Sequence, residues 1–111
     1  MHQSPEMQKC IELCQACSAT CLATVTHCLE KGGPHAQKDH VRIMLDCVDA
    51  CEVSAKFMLR NSPLHRRYCG ACEETCRACA SSCEKFSGDS EMARCAELCR
   101  SCADACRRMS G

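Results

Sequence analysis

Four stretches of this chain repeat one kind of position at steps of three and four residues, with polar side chains filling the gaps. The clearest starts at His65 and carries Cys69, Cys72, Cys76, Cys79 and Cys83. This spacing is the a/d seam that a bundled helix turns toward its partners. The first stretch places Met7, Cys10, Cys14, Cys17, Cys21, Thr24 and Cys28 on such a seam. The second places His40, Met44, Cys47, Cys51, Ser54 and Met58 there, and the fourth Met92, Cys95, Cys99, Cys102, Cys106 and Met109. Ser4-Pro5 reads as N-cap and first helical residue. Gly32-Gly33-Pro34, Asn61-Ser62-Pro63 and Ser87-Gly88-Asp89-Ser90 read as stops and restarts. The spacing predicts helices over about 5–31, 34–60, 63–86 and 89–109.

Helices of this length joined by short turns pack as antiparallel neighbours. The expected fold is all-α, an antiparallel up-down-up-down four-helix bundle in a single domain over residues 1–111. No strand alternation and no Asn-Gly hairpin signal interrupts the pattern.

Composition changes the picture at one point. The seams of ordinary bundles hold Leu, Ile or Val, whereas these hold most of the sixteen cysteines of a 111-residue chain. Fourteen basic and fourteen acidic residues cancel, which leaves no basic surface for nucleic acid or an anionic membrane. No stretch approaches the roughly 20 apolar residues of a membrane span. The start Met-His-Gln-Ser-Pro-Glu lacks the basic and apolar regions of a secretory signal, so a cytoplasmic chain with reduced thiols is expected. Dense cysteine in that compartment points to metal before disulfide.

Seven cysteine pairs stand four residues apart: Cys10/Cys14, Cys17/Cys21, Cys47/Cys51, Cys72/Cys76, Cys79/Cys83, Cys95/Cys99 and Cys102/Cys106. On one helix their Cβ atoms lie about 5–6 Å apart, too far for the roughly 3.5–4.5 Å of a disulfide. A two-coordinate metal wants its sulfurs about 4–5 Å apart, which rotatable cysteines can supply. Soft thiolates select Cu(I), zinc or iron–sulfur clusters. Zinc asks for separate tetrahedral sets, and the ferredoxin run ending in Cys-Pro is absent. A continuous tube of thiols suits Cu(I), which accepts two or three ligands. Charge points the same way. Buried thiolates need nearly one positive ion each, so many Cu(I) per chain are expected. The empty chain should hold neutral thiols, which pack as small hydrophobes and release protons on filling.

All sixteen cysteines are therefore candidate ligands: Cys10, Cys14, Cys17, Cys21, Cys28, Cys47, Cys51, Cys69, Cys72, Cys76, Cys79, Cys83, Cys95, Cys99, Cys102 and Cys106. Weaker thioether and imidazole ligands extend the seams. His40, Met44 and Met92 fall at one end of the bundle, and Met58, His65 and Met109 at the other. The first end is expected to be the entry. At the second, Phe57, Leu64 and Tyr68 are expected to act as a plug. Each Met or His also has a plain reading, as gap filler or half-exposed helix start. His27 and His35, beside the seam and on a loop, are not assigned as ligands, and His2 is expected to be a disordered terminal residue. Off the seam lie Ile11, Leu22, Val25, Leu29, Val41, Leu45, Val48, Ala55 and Leu59. They serve packing within one bundle or a second buried face between chains.

From Pro5 to Met109 the four helices, the repeated CxxxC pairs and the shared cysteine-facing cavity resemble the bacterial copper storage proteins of cytosolic type. The resemblance implies a homotetramer of bundles, each storing many Cu(I) ions. Copper ions are the expected ligand, and a copper chaperone is a candidate partner that the sequence does not identify. It carries over no catalytic residues, so no enzyme is expected. The family's exported members carry a leader, and none is expected here. The second helix is poorer in thiols than the other three, which bears on the load. Competing readings are a zinc or cadmium thiolate buffer, a redox protein using dithiols such as Cys69/Cys72 or Cys76/Cys79, and a disulfide scaffold. Redox thiols are few and exposed near helix starts, unlike these.

Overall fold

The computed structural model describes residues 3–111, so His2 lies outside the described residues. Helix α1 spans Pro5–Lys31, α2 Lys38–Leu59, α3 His65–Cys83 and α4 Ser90–Ser110, with a 3₁₀ turn at Gly33–Ala36. Among the described residues there is no strand. Each helix packs on its neighbours in the chain and α1 closes the ring against α4. The result is the antiparallel four-helix bundle expected from the seams, a rod of 47 × 21 × 20 Å.

The ends of the helices are made by the residues that signalled them. The Ser4 side chain accepts from the Met7 backbone N–H at 3.1 Å, with Pro5 at the first helical position. At the end of α2, Asn61 takes a left-handed φ of 51°. Its N–H bonds the Met58 carbonyl while the Ser62 N–H reaches back to Phe57, a Schellman closure. Asp89 caps α4 by accepting from the N–H groups of Glu91 and Met92.

Two boundaries differ from the expectation by three residues or more. The second helix begins at Lys38 rather than at Pro34, because Pro34 lies in a 3₁₀ turn that Gln37, in extended conformation, separates from α2. That turn carries His35 to Asp89, 2.9 Å away. The third helix stops at Cys83 rather than near Phe86. There the chain tightens into three-residue turns that bring Phe86 against the His35 and His40 rings, with centroids 4.1 and 4.8 Å apart.

The interior is sulfur. Every cysteine is buried, along with Met44, Met58 and Met92, while Ile11, Val25 and Val48 close the core at its flanks. Leu22, Leu29, Leu45, Leu59 and Leu64 are exposed instead. Over much of the rod thiols and thioethers take the core positions that large aliphatics usually fill, and several leucines are left outside.

Candidate metal centre

All sixteen cysteines are free thiols. The i, i+4 pairs behave as their spacing predicts: Cys17 and Cys21 have Sγ atoms 3.9 Å apart, and Cys72 and Cys76 3.8 Å, contact distances rather than bonds. The closest sulfur contacts cross between helices. Cys21 meets Cys95 and Cys99 at 3.6 Å, Cys51 meets Cys76 at 3.6 Å, and Cys106 meets Cys10 and Cys14 at 3.7 Å. Because the helices supply a thiol at nearly every turn, each interhelical contact leads on to the next.

Four sulfur quartets result, each with its ligand atoms within 4.8 Å of one another. Cys17, Cys21, Cys47 and Cys99 form the first; Cys17, Cys47, Cys51 and Cys76 the second. Cys51, Cys72, Cys76 and Cys102 form the third, and Cys14, Cys72, Cys102 and Cys106 the fourth. Each quartet shares two thiols with the next. The sequence pattern could place ligands on one face, but the sharing across helices is visible only in three dimensions. Cys28, Cys69, Cys79, Cys83 and Cys95 are buried beyond this chain of quartets, and Cys10 adjoins it through Cys106. The second helix, poor in thiols, places its two at the centre: Cys47 and Cys51 between them belong to three of the four quartets.

The sulfur separations of 3.6–4.0 Å fall short of the linear two-sulfur expectation. They match ligands that share one ion in threes or fours, or thiolates that bridge neighbouring ions. Four independent tetrahedral ions would need sixteen sulfurs, while these quartets use ten. Filling them all at once requires bridging thiolates.

Protonation follows from burial and mutual contact. Cys28 is pushed up to about 11, first by desolvation and then by the charges of Cys95 and Asp89. Cys51 and Cys99 are held above the ordinary thiol range, Cys51 first by its contact with Cys102 and Cys99 by that with Cys17, with burial adding to both. Where a thiol of the network ionises, its neighbours donate to it. Cys14 is pulled down first by Cys10 and Cys17 by Cys102. Each thiolate therefore forms at the expense of its neighbours' ionisation.

At one end of the sulfur tube the ligands change character. Cys28 Sγ lies 3.4 Å from His40 Nε2, 3.5 Å from Met92 Sδ and 3.9 Å from Met44 Sδ. The structure thus brings together the three candidate weak ligands that the seam pattern places at this end. His40 is buried, and that burial, followed by the charge of His35, lowers its pKa and keeps the ring neutral. Its Nδ1 stands 2.7 Å from Ser82 Oγ. With Nδ1–H donating to Ser82, the Nε2 lone pair faces Cys28, which is how an outer partner orients a metal-binding imidazole. Ser82 lies on no seam, and nothing in the spacing marks it. A surface depression of about 580 Å³ runs past Gln37, His40, Ser82 and Phe86.

The opposite end is built differently. Ser54 Oγ donates to Cys69 Sγ at 3.3 Å, and Met58 is fully buried, with Met7 and Met109 partly so. His65 is tied back to its own helix start, Nδ1–H donating to the Ser62 carbonyl at 2.9 Å. Phe57 and Tyr68 stack with centroids 4.0 Å apart. Tyr68 and Leu64 are exposed, so the fully buried large side chain at this end is Met58 rather than the expected aromatic plug.

The likeness to known proteins agrees with this geometry. The sequence profile described as "copper storage protein" matches residues 3–111. A solved protein from Nitrosospira multiformis, Nmul_A1745, is 44% identical, covering 95% of this chain and 94% of that one, with a TM-score of 0.89. The Cu(I)-bound copper storage protein BsCsp3 is 33% identical over 96% of this chain and 99% of its own, with a TM-score of 0.88. A cytosolic copper storage protein from Streptomyces lividans, solved during copper loading with five coppers, is 31% identical over 95% of this chain and 92% of that one, at a TM-score of 0.87. With its thiol-lined core matched from end to end by that profile and by copper-loaded bundles, the chain belongs to the copper storage protein family.

Proposed function

We propose that this protein stores and sequesters Cu(I) in the cytoplasm, holding many ions per chain as thiolate-bridged clusters inside the bundle. The observation that carries this reading is the run of quartets that share thiols pairwise. A soft ion of low coordination number can fill such a run progressively, while the charge of each ion offsets that of about one thiolate. The role is binding rather than catalysis, and the buried thiols lack the exposure that dithiol redox chemistry needs. Anaerobic titration with Cu(I) against a chelator of known affinity should saturate at a count on the order of the sixteen cysteines. Saturation at four ions or fewer would overturn storage.

A zinc or cadmium thiolate buffer is the second reading. Sulfurs around tetrahedral zinc stand roughly 3.8 Å apart, from bonds of about 2.3 Å, and the observed contacts bracket that value. The six buried thiols outside the quartets weigh against it, because separate tetrahedral sites would not need them. Zinc displacing copper at equal concentration would favour it.

Ions enter at the end that holds Cys28, His40, Met44 and Met92. Imidazole and thioether bind Cu(I) more weakly than thiolate does and pass it to Cys47 and Cys51 without trapping it. Met58, His65 and Met109 are the corresponding candidates at the opposite end. The chain assembles as a homotetramer. The groove between α1 and α2, lined by Ala19, Leu22, Ala55 and Leu59, supplies an apolar face for a second copy, since Leu22 and Leu59 are about half exposed. Equilibrium sedimentation showing only monomer at micromolar concentration would refute that assembly. A chaperone carrying Cu(I) is the natural donor. Because the helices are capped and packed without metal, far-UV circular dichroism should show high helicity that barely changes on loading.

A further inference from the structure

Outside the sulfur core, three side chains from three separate segments meet at one carboxylate oxygen. His27 lies in the last turns of α1, His35 in the 3₁₀ turn and Asp89 at the cap of α4. Both imidazole Nε2 atoms stand 2.9 Å from Asp89 Oδ2. The rings meet edge to face with centroids 5.9 Å apart, and the three side chains are only 15–18% exposed. Asp89 uses its other oxygen, Oδ1, to accept from the backbone N–H groups of Glu91 and Met92, so its orientation is set by the helix it caps. Behind the first ring, His27 Nδ1 is 3.3 Å from Glu91 Oε2.

We propose that His27, His35 and Asp89 form a binding site for a borderline divalent cation of the zinc class, separate from the Cu(I) core. The donor set is two nitrogens and one oxygen with no sulfur, which suits zinc, cobalt or nickel better than Cu(I). Ligand atoms around a tetrahedral ion with bonds of about 2.0–2.1 Å lie roughly 3.4 Å apart. The present 2.9 Å contacts need open by only a few tenths of an ångström. The cleft between Lys31, Ser87 and Gly88 opens to solvent, which leaves room for a water as fourth ligand. Glu91 completes the arrangement. When the Nε2 lone pair of His27 binds an ion, the ring proton sits on Nδ1, where the Glu91 carboxylate receives it. The site reverses the expectation from spacing that His27 and His35 are not ligands, because their convergence depends on Asp89, far away in the chain. An ion there would tie the end of α1, the turn and the start of α4 together.

The test uses the full chain, first saturated with Cu(I) under anaerobic conditions so that the thiols are occupied. Cobalt(II) is then added. The expected result is one equivalent bound, with weak visible d–d bands and no strong sulfur-to-cobalt charge transfer. The H27A/H35A double variant should abolish these bands. D89N keeps the cap, since Asn also accepts at that position, and should weaken binding at least tenfold. E91Q should weaken it about 10–100-fold, the usual effect of an outer carboxylate. Circular dichroism and Cu(I) count matching wild type show that the variants fold. In the metal-free chain, adding Zn²⁺ should shift the ring ¹⁵N resonances of His27 and His35, whereas zinc on the thiols leaves those rings unmoved. No cobalt bands and unmoved rings would overturn the site, as would cobalt binding indifferent to H27A/H35A. The Cu(I) count taken before cobalt is added tests the storage function separately.

Discussion

The two ends of the bundle begin from the same seam pattern and finish as different chemistry. Each closes the sulfur tube with buried methionine, Met44 and Met92 at one end and Met58 at the other. At the first, a thiol, an imidazole and two thioethers converge on one another within 3.4–3.9 Å of Cys28 Sγ. At the second, the terminal thiol Cys69 meets the Ser54 hydroxyl, and the local histidine, His65, is spent on its own helix start. A seam residue becomes a ligand or a plug according to what its neighbours leave free. His40 can offer Nε2 because Ser82 engages Nδ1. At the Met58 end the histidine's Nδ1 is held by the Ser62 carbonyl, and the burial of Met58 reads as packing.

The sharpest way to break this comparison is to attack what lies between the ends. Cys47 and Cys51 belong to three of the four quartets, so C47S/C51S should lower the Cu(I) count by more than the two thiols removed. The variant C69S/C83S, outside the quartets, should lose no more than its own share. Equal losses, measured by anaerobic titration, would mean that the core is a set of independent sites.

Next in size is stability. Met58 and Met44 are both fully buried, and truncating buried Met to Ala costs about 2–5 kcal/mol. M58A should lower the metal-free Tm strongly while leaving the rate of Cu(I) uptake unchanged in the protein that remains folded. Slower uptake in M58A, tested together with H65A, would move the entry to that end.

The complementary variant, H40A/M44A, removes two of the candidate weak ligands beside Cys28. Loss of about 1.4 kcal/mol of transient binding corresponds to a tenfold rate change. Stopped-flow loading and chelator-driven removal should each slow by about that factor, with the final Cu(I) count nearly unchanged. Wild-type rates would remove the distinction between the two ends.

The smallest effect concerns pH. Cys28 is raised from 9.0 to about 11 in the folded chain. A thiol kept neutral by folding stabilises the native state fully below its unfolded pKa, and that contribution is lost as pH rises through the folded one. Metal-free protein should therefore lose stability between about pH 9 and 11, and replacing Cys28 with Ala should flatten that part of the denaturation profile. A profile identical to wild type would show that Cys28 is not held neutral.

The bundle, its four seams and its soft-metal chemistry were legible in the chain because they rest on local periodicity. A thiol every three or four residues on a capped helix faces one way whatever else the protein does. The caps at Ser4, Asn61 and Asp89 could be read for the same reason, since each acts on backbone groups within a turn. Tertiary structure decided what depends on contacts between distant residues. It chose which thiols share a quartet, set the sulfur separations below the linear spacing, and cut α3 short so that Phe86 could pack on His35 and His40. It also brought Ser82 to His40 across 42 residues and Asp89 to His27 across 62. Periodicity specifies a face, but the partner facing it is chosen by how whole helices pack, and that choice separates a ligand from a filler.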